Sequence, residues 1–151
     1  MDIAQMSAKR PYLFRAFYDW IVDNELTPHI LVNATEFGVD VPLEFVQDGK
    51  IVLNLAPYSI GNYVATNDYI EFDARFGGKP HHIIIPMLAL QAVYARENGV
   101  GLSFEEEPQY VAMREQQQTD QSTQNPESNS SNPKNNSSTN LKSNNPFKIV
   151  K

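Results

Sequence analysis

Residues 115–140 contain no apolar side chain and consist mostly of Gln, Asn, Ser, Thr and Pro. Such a stretch cannot bury enough surface to offset the entropy of ordering it, so it is expected to be disordered. Any packed core must come from the residues before it. Of the 62 apolar residues in the chain, residues 1–114 hold 58 and the last 37 hold four. Charge divides at the same point: 8 basic against 15 acidic residues give −7 up to Arg114, and 4 against 3 give +1 afterwards. The sequence thus predicts three parts: a folded domain over residues 1–113, a polar linker over 114–144, and a short terminal segment over 145–151.

An acidic body lacks the clustered positive field that attracts phosphates, so binding to nucleic acid or to an anionic membrane surface is disfavoured. No cysteine occurs, which excludes disulfides, thiolate nucleophiles and Cys-ligated zinc. The first residues, MDIAQMSAKRPY, lack the basic-then-apolar order of a secretory signal, and no run approaches the roughly 20 apolar residues of a membrane span. A cytoplasmic protein is expected.

Pro11 suits a first helical turn, and Leu13, Phe17, Trp20 and Ile21 follow at helical spacing. The other side is also apolar, with Tyr12, Phe14, Tyr18 and Val22. A helix apolar on most sides must be covered on most sides, either by two-sided burial inside one chain or, the expected solution, by homodimerisation through this helix, with Leu13, Phe14, Phe17, Tyr18 and Ile21 at the interface. Pro28 stops the helical pattern, and β-type runs follow at residues 29–34, 41–47, 50–56, 62–66, 69–76 and 81–85. Asp48-Gly49, Asn67-Asp68 and Gly77-Gly78 are expected turns, and residues 69–76 alternate cleanly, with Ile70, Phe72, Ala74 and Phe76 on one face and Glu71, Asp73 and Arg75 on the other. Residues 86–96 read as a second short helix opened by Pro86 and closed near Asn98-Gly99. The predicted fold class is mainly β with helices (α+β): a small, bent, barrel-like antiparallel sheet preceded by a helix and followed by a disordered tail.

Catalytic chemistry is not visible. His81 and His82 are adjacent in a strand and point to opposite faces, so they do not share a metal, and His29 has no spaced carboxylate partner. Glu105-Glu106-Glu107 reads as a solvated acidic stretch. No phosphate loop or nucleophile elbow is present. Neither an enzyme, a metal site nor a cofactor is expected. Polypeptide recognition remains: residues 55–62, LAPYSIGN, leave a strand through a proline that cannot donate to a ladder, which favours an exposed sheet edge where an extended peptide can lie. Arg75 either pairs with Glu71 or Asp73, or contacts an acidic group of a ligand. The terminal Asn145-Pro146-Phe147-Lys148-Ile149-Val150-Lys151 regains apolar and cationic residues and reads as a docking motif on a tether, whose reach over about 30 flexible residues is about 30 Å.

The blocks RPYLFRAFYDWIVDNELTPH, VPLEFVQDGKIVLNLAP, Gly61-Asn62, FDARFGG, IPMLALQAVYAREN and the terminal IVK, in this order, resemble stringent starvation protein B, the SspB adaptor family that delivers ssrA-tagged proteins to the ClpXP protease. The resemblance covers about 110 residues of the folded part and the end of the tail. It implies an Sm-like β-barrel domain that dimerises through the first helix and holds an extended ssrA tag in a groove. Carried onto this sequence, one groove wall comprises Leu55, Ala56, Pro57, Tyr58, Gly61 and Asn62, and the other Phe72, Ala74, Arg75 and Phe76, with Met87 near the base. It also implies that Pro146, Phe147, Lys148, Ile149, Val150 and Lys151 dock on the N-terminal zinc domain of ClpX. The tail departs from the family's acidic pattern by being Asn- and Ser-rich, and Tyr58 is bulky where small residues would leave more room. A small-barrel RNA-binding or translation-associated protein is the alternative, with Tyr58, Phe72 and Phe76 as stacking residues, and the −7 body opposes it.

Overall fold

The computed structural model describes residues 1–130, so the terminal motif at residues 146–151 and residues 131–144 of the predicted linker lie outside the described residues. Two units are distinguished, Met1–Val111 and a second that begins at Ala112. The elements in chain order are α1 (Arg10–Asp23), β1 (Pro28–Asn33), β2 (Lys50–Asn54), β3 (Gly61–Ala65), β4 (Tyr69–Phe76), β5 (Lys79–Pro86), β6 (Leu90–Ala95), β7 (Gly101–Ser103) and α2 (Pro108–Ser130), with short 3-10 turns between them.

Two antiparallel sheets, ordered β2-β1-β6-β7 and β3-β4-β5, form a bent, barrel-like arrangement that does not close. The fold is α+β and mainly β, as the sequence predicts. The chain passes from one sheet to the other at two corners, and both are buried. Leu55 and Ala56 form one, between β2 and β3; the 3-10 turn Met87–Ala89 forms the other, between β5 and β6. The inward residues of β4 and β5, namely Ile70, Phe72, Ile83 and Ile85, join Ile30, Val32, Ile51, Leu53, Leu90 and Val93 in one core.

Helix α1 contributes Phe14, Tyr18 and Ile21 to that core, an i, i+4, i+7 stripe packed over β6 and β1. Each such side chain, fully buried, contributes about 1.5–3 kcal/mol of apolar transfer free energy. Tyr18 is anchored further: its hydroxyl donates to the Leu55 carbonyl at 2.9 Å, and its ring stacks on Tyr63 at 5.0 Å. Burial lifts the Tyr18 and Tyr63 hydroxyls above the ordinary tyrosine range. Of the five residues expected at a dimer interface, Phe14, Tyr18 and Ile21 therefore belong to the protomer's own core. Only Leu13 and Phe17 lie on the half-buried side of the helix.

Three further expectations are corrected. Residues 86–96 are not a helix: after the 3-10 turn they form β6, paired on both edges with β1 and β7. Leu90, Ala92, Val93 and Ala95 are all buried, and an apolar run covered on both sides carries no periodicity that separates strand from helix. Residues 41–47 are not a strand either. Pro42 lacks a donor, the chain makes a 3-10 turn at Leu43–Phe45, and only the isolated bridges Asp40↔Ile84 and Gln47↔Lys50 remain. The Asp48-Gly49 turn is nonetheless formed as predicted, with φ of +53° and +76°, and so is Gly77-Gly78, with +59° and +82°. Finally, Glu107 is not solvated. It is 8% exposed, and its carboxylate accepts the Lys9 and Arg10 backbone amides at 2.9 and 3.0 Å, satisfying orphan donors at the start of α1.

Helix α2 opens with Pro108 and runs to Ser130, through part of the segment expected to be disordered. Ala112, Met113, Arg114, Glu115 and Gln116 are strong helix formers, and a helix closes its backbone hydrogen bonds without burying apolar surface. A polar composition opposes burial and leaves helix formation open.

Candidate functional site

The site begins where β2 ends. Asn54 Oδ1 accepts the Ala56 amide at 2.8 Å, an Asx turn that takes the chain out of the strand. Pro57 then opens the 3-10 turn Pro57–Ser59, closed by the Ser59 amide on the Ala56 carbonyl at 2.8 Å, and Tyr58 stands 82% exposed at its tip. Strand β3 follows with an irregular start. Gly61 pairs with Asp73, the register shifts before Val64, and Asn62 adopts a left-handed φ of +52°. This is a bulge, and it is held by a side chain, since Asn62 Nδ2 donates to Asp73 Oδ2 at 2.7 Å.

Because β3 starts opposite Asp73 while β4 continues to Phe76, residues 74–76 have no strand partner on the β3 side among the described residues. Their other side is fully paired, Ala74 with His81, Arg75 with Pro80 and Phe76 with Lys79. An unpaired stretch of three residues is a template for one more strand. On its inward face, Ala74 and Phe76 are half-buried, and Phe76 packs on Phe45 at 5.5 Å and edge-on to His81 at 6.4 Å. His81 Nε2 is in turn 3.1 Å from Asp40 Oδ1. On the outward face, His82 lies between two carboxylates, with Nδ1 2.5 Å from Asp73 and Nε2 2.6 Å from Glu71. Hydrogen bonds to Asp73 and then Glu71 hold the His82 imidazolium above the ordinary histidine range. Asn62 first, and His82 second, hold the Asp73 carboxyl below the ordinary carboxylate range.

The predicted groove residues therefore separate into two groups. Pro57, Tyr58, Gly61 and Asn62 are exposed and approach the open part of β4 through the Gly61↔Asp73 pairing, and Ala74 and Phe76 present its inward face. Leu55, Ala56, Phe72 and Met87 are buried core residues that support the site from beneath. Arg75 faces outward and donates from Nη1 to the Gly78 carbonyl at 2.9 Å; the pairing with Glu71 or Asp73 does not form, because His82 occupies both. Sequence reasoning missed Phe45, which it placed in a strand, and His82, which it weighed only as a metal ligand. The signal for His82 is its cross-strand position opposite Asp73 and diagonal to Glu71, visible only once the β4–β5 register is known. No group of three or more His, Cys, Asp or Glu among the described residues is arranged to hold a metal ion.

A second exposed feature is the outer side of α1. Tyr12 and Trp20 are half exposed, and Phe17 meets Trp20 edge to face at 5.7 Å. At its C-terminal end Trp20, Ile21, Asn24, Leu26, Ala95, Asn98 and Val100 line a depression of about 270 Å³. No helix among the described residues is long and apolar enough to cross a membrane.

Fold and site together define a small α+β domain with an open strand edge, built without a recognisable catalytic constellation among its described residues. The chain belongs to the stringent starvation protein B family, whose model matches residues 8–151. It is 53% identical over 117 residues, 78% of each chain, to a protein of Haemophilus influenzae named stringent starvation protein B homolog.

Proposed function

We propose that this chain is a non-enzymatic, cytoplasmic adaptor that binds the ssrA tag of tagged polypeptides and hands them to ClpXP. The tag lies as an added strand along residues 74–76, between the Pro57–Ser59 turn and the Phe76–Phe45 aromatic pair. Residues 146–151 dock on the N-terminal zinc domain of ClpX. The observation that carries this reading is the three-residue stretch of β4 that, among the described residues, has no strand partner on its β3 side. Backbone hydrogen bonds there supply sequence-independent affinity, and the half-buried Ala74 and Phe76 supply side-chain selection. No cofactor is required, because the adaptor acts by raising local substrate concentration.

Ala74→Gln tests the site by placing a longer polar side chain on the inward face, where side chains of the added strand would pack. Anisotropy of a labelled tag peptide is expected to show Kd raised at least about tenfold, equivalent to about 1.4 kcal/mol. An unchanged Kd would remove residues 74–76 from the site.

The proposal includes a homodimer formed through the outer side of α1, where Tyr12, Leu13, Phe17 and Trp20 are available and two tails would then engage one hexameric partner at two points. Phe17→Glu is expected to yield monomer in sedimentation velocity, with the fold retained by circular dichroism. A dimer that persists places the interface elsewhere.

A further inference from the structure

We propose that the Glu71–His82–Asp73–Asn62 chain is a proton-operated positioning device: protonated His82 fixes Asp73, Asp73 fixes the β3 bulge at Asn62, and the bulge sets the wall of the tag site. This rests on the tag-binding reading above and adds its regulation.

The geometry is continuous. Asp73 uses one carboxylate oxygen for His82 and the other for Asn62, at 2.5 and 2.7 Å. Asn62 has a left-handed backbone, which Asn tolerates better than other non-glycine residues, and its side-chain amide ties that conformation to Asp73. It follows Gly61, the last pairing residue before the exposed turn, so a shift at Asn62 moves the mouth of the unpaired β4 stretch. Only the imidazolium can donate from both ring nitrogens. Neutral His82 must release one of the two carboxylates, leaving Glu71 and Asp73 as like charges two residues apart on one strand face.

The other groups around His82 do not replace it. Along β5, its same-face neighbours Pro80 and Ile84 are uncharged. On β4, Arg75 is bonded to the Gly78 carbonyl, and across β4 the β3 strand presents Asn62 and Val64, neither ionisable. Asp40, bridged to Ile84 at the other edge of β5, directs its carboxylate to His81. The sign follows from the two partners. His82, with its value raised, stabilises the chain below the ordinary 6.5 and loses that contribution as pH rises through its raised value. Asp73, with its value lowered, contributes above the ordinary 3.8 and loses that contribution as pH falls through its lowered value. The device is complete in the window between.

The test is a tag-peptide titration of the full chain between about pH 6 and about pH 8.5, paired with an NMR titration of the His82 ring. The peptide has a blocked N-terminus and no histidine. Wild-type affinity is expected to weaken roughly three- to tenfold with rising pH, with its midpoint at the His82 value, since one proton gives at most a tenfold change per pH unit. His82→Gln should bind at the weak level at every pH. Asn62→Gly tolerates the left-handed backbone but lacks the amide, so His82 should still titrate while affinity stays weak and flat. A His82→Gln profile parallel to wild type, or a flat wild-type profile while His82 titrates, would overturn the proposal. Absence of tag binding at every pH would instead defeat the tag-site reading. The device then stands or falls on whether the Asn62 side-chain amide shift follows the His82 midpoint in the free protein.

Discussion

Arg10→Ala is expected to lower the unfolding free energy by about 3–5 kcal/mol in urea titration, because several backbone carbonyls lose a charged donor at once. Arg10 is only 3% exposed. Its Nη1 donates to the carbonyls of Met87, Leu88 and Leu90 at 3.0, 3.3 and 2.8 Å, and its Nη2 to that of Glu105 at 2.8 Å. The guanidinium lies 4.5 Å from the centre of the Tyr110 ring and 5.6 Å from that of Phe104. Alanine leaves these buried acceptors without their donor, and each such group costs about 1–3 kcal/mol. Arg10→Lys should recover only part of the loss, because an ammonium cannot span four carbonyls and a ring face as a planar fork does. The same guanidinium ties the first turn of α1 to the corner between the two sheets, so its loss loosens the platform beneath the site. A change below about 1 kcal/mol would contradict this account of the core.

The second large effect is at the far end of the chain. Ile149→Asp is expected to reduce ClpXP degradation of an ssrA-tagged substrate by at least about tenfold, because an ionised carboxylate in an apolar docking pocket is strongly unfavourable. Tag affinity should be unchanged, since the proposed tag site lies in the Met1–Val111 unit. Loss of tag binding by the same substitution would sink the division of labour between folded domain and terminal motif.

What the sequence reveals, and what it hides, follows from the range of each interaction. Local signals are legible: Pro11 at a helix start, Asp48-Gly49 and Gly77-Gly78 at turns, and the period-2 alternation of Tyr69–Phe76 all correspond to observed structure. The β6 strand is hidden, because Leu90, Ala92, Val93 and Ala95 are all buried and such a run satisfies helix and strand alike. The core face of α1 is hidden as well, since an apolar residue lies on nearly every side and only packing selects Phe14, Tyr18 and Ile21. Arg10 and Glu107 are the extreme case: each is an ordinary charged residue locally, and their roles depend on partners nearly a hundred positions away. At the candidate site, the family resemblance points to whole segments. It does not separate the exposed Tyr58 and the half-buried Ala74 from core residues such as Leu55 and Phe72. That separation needs the Gly61↔Asp73 register and the early start of β3.

The most direct test of the adaptor reading is fluorescence anisotropy of a labelled ssrA peptide against the full chain and against a chain ending at Arg114. Equal, saturable binding by both is the predicted result, placing recognition in the folded domain and leaving the tail for ClpX. Absence of saturable binding by the full chain would contradict the central claim.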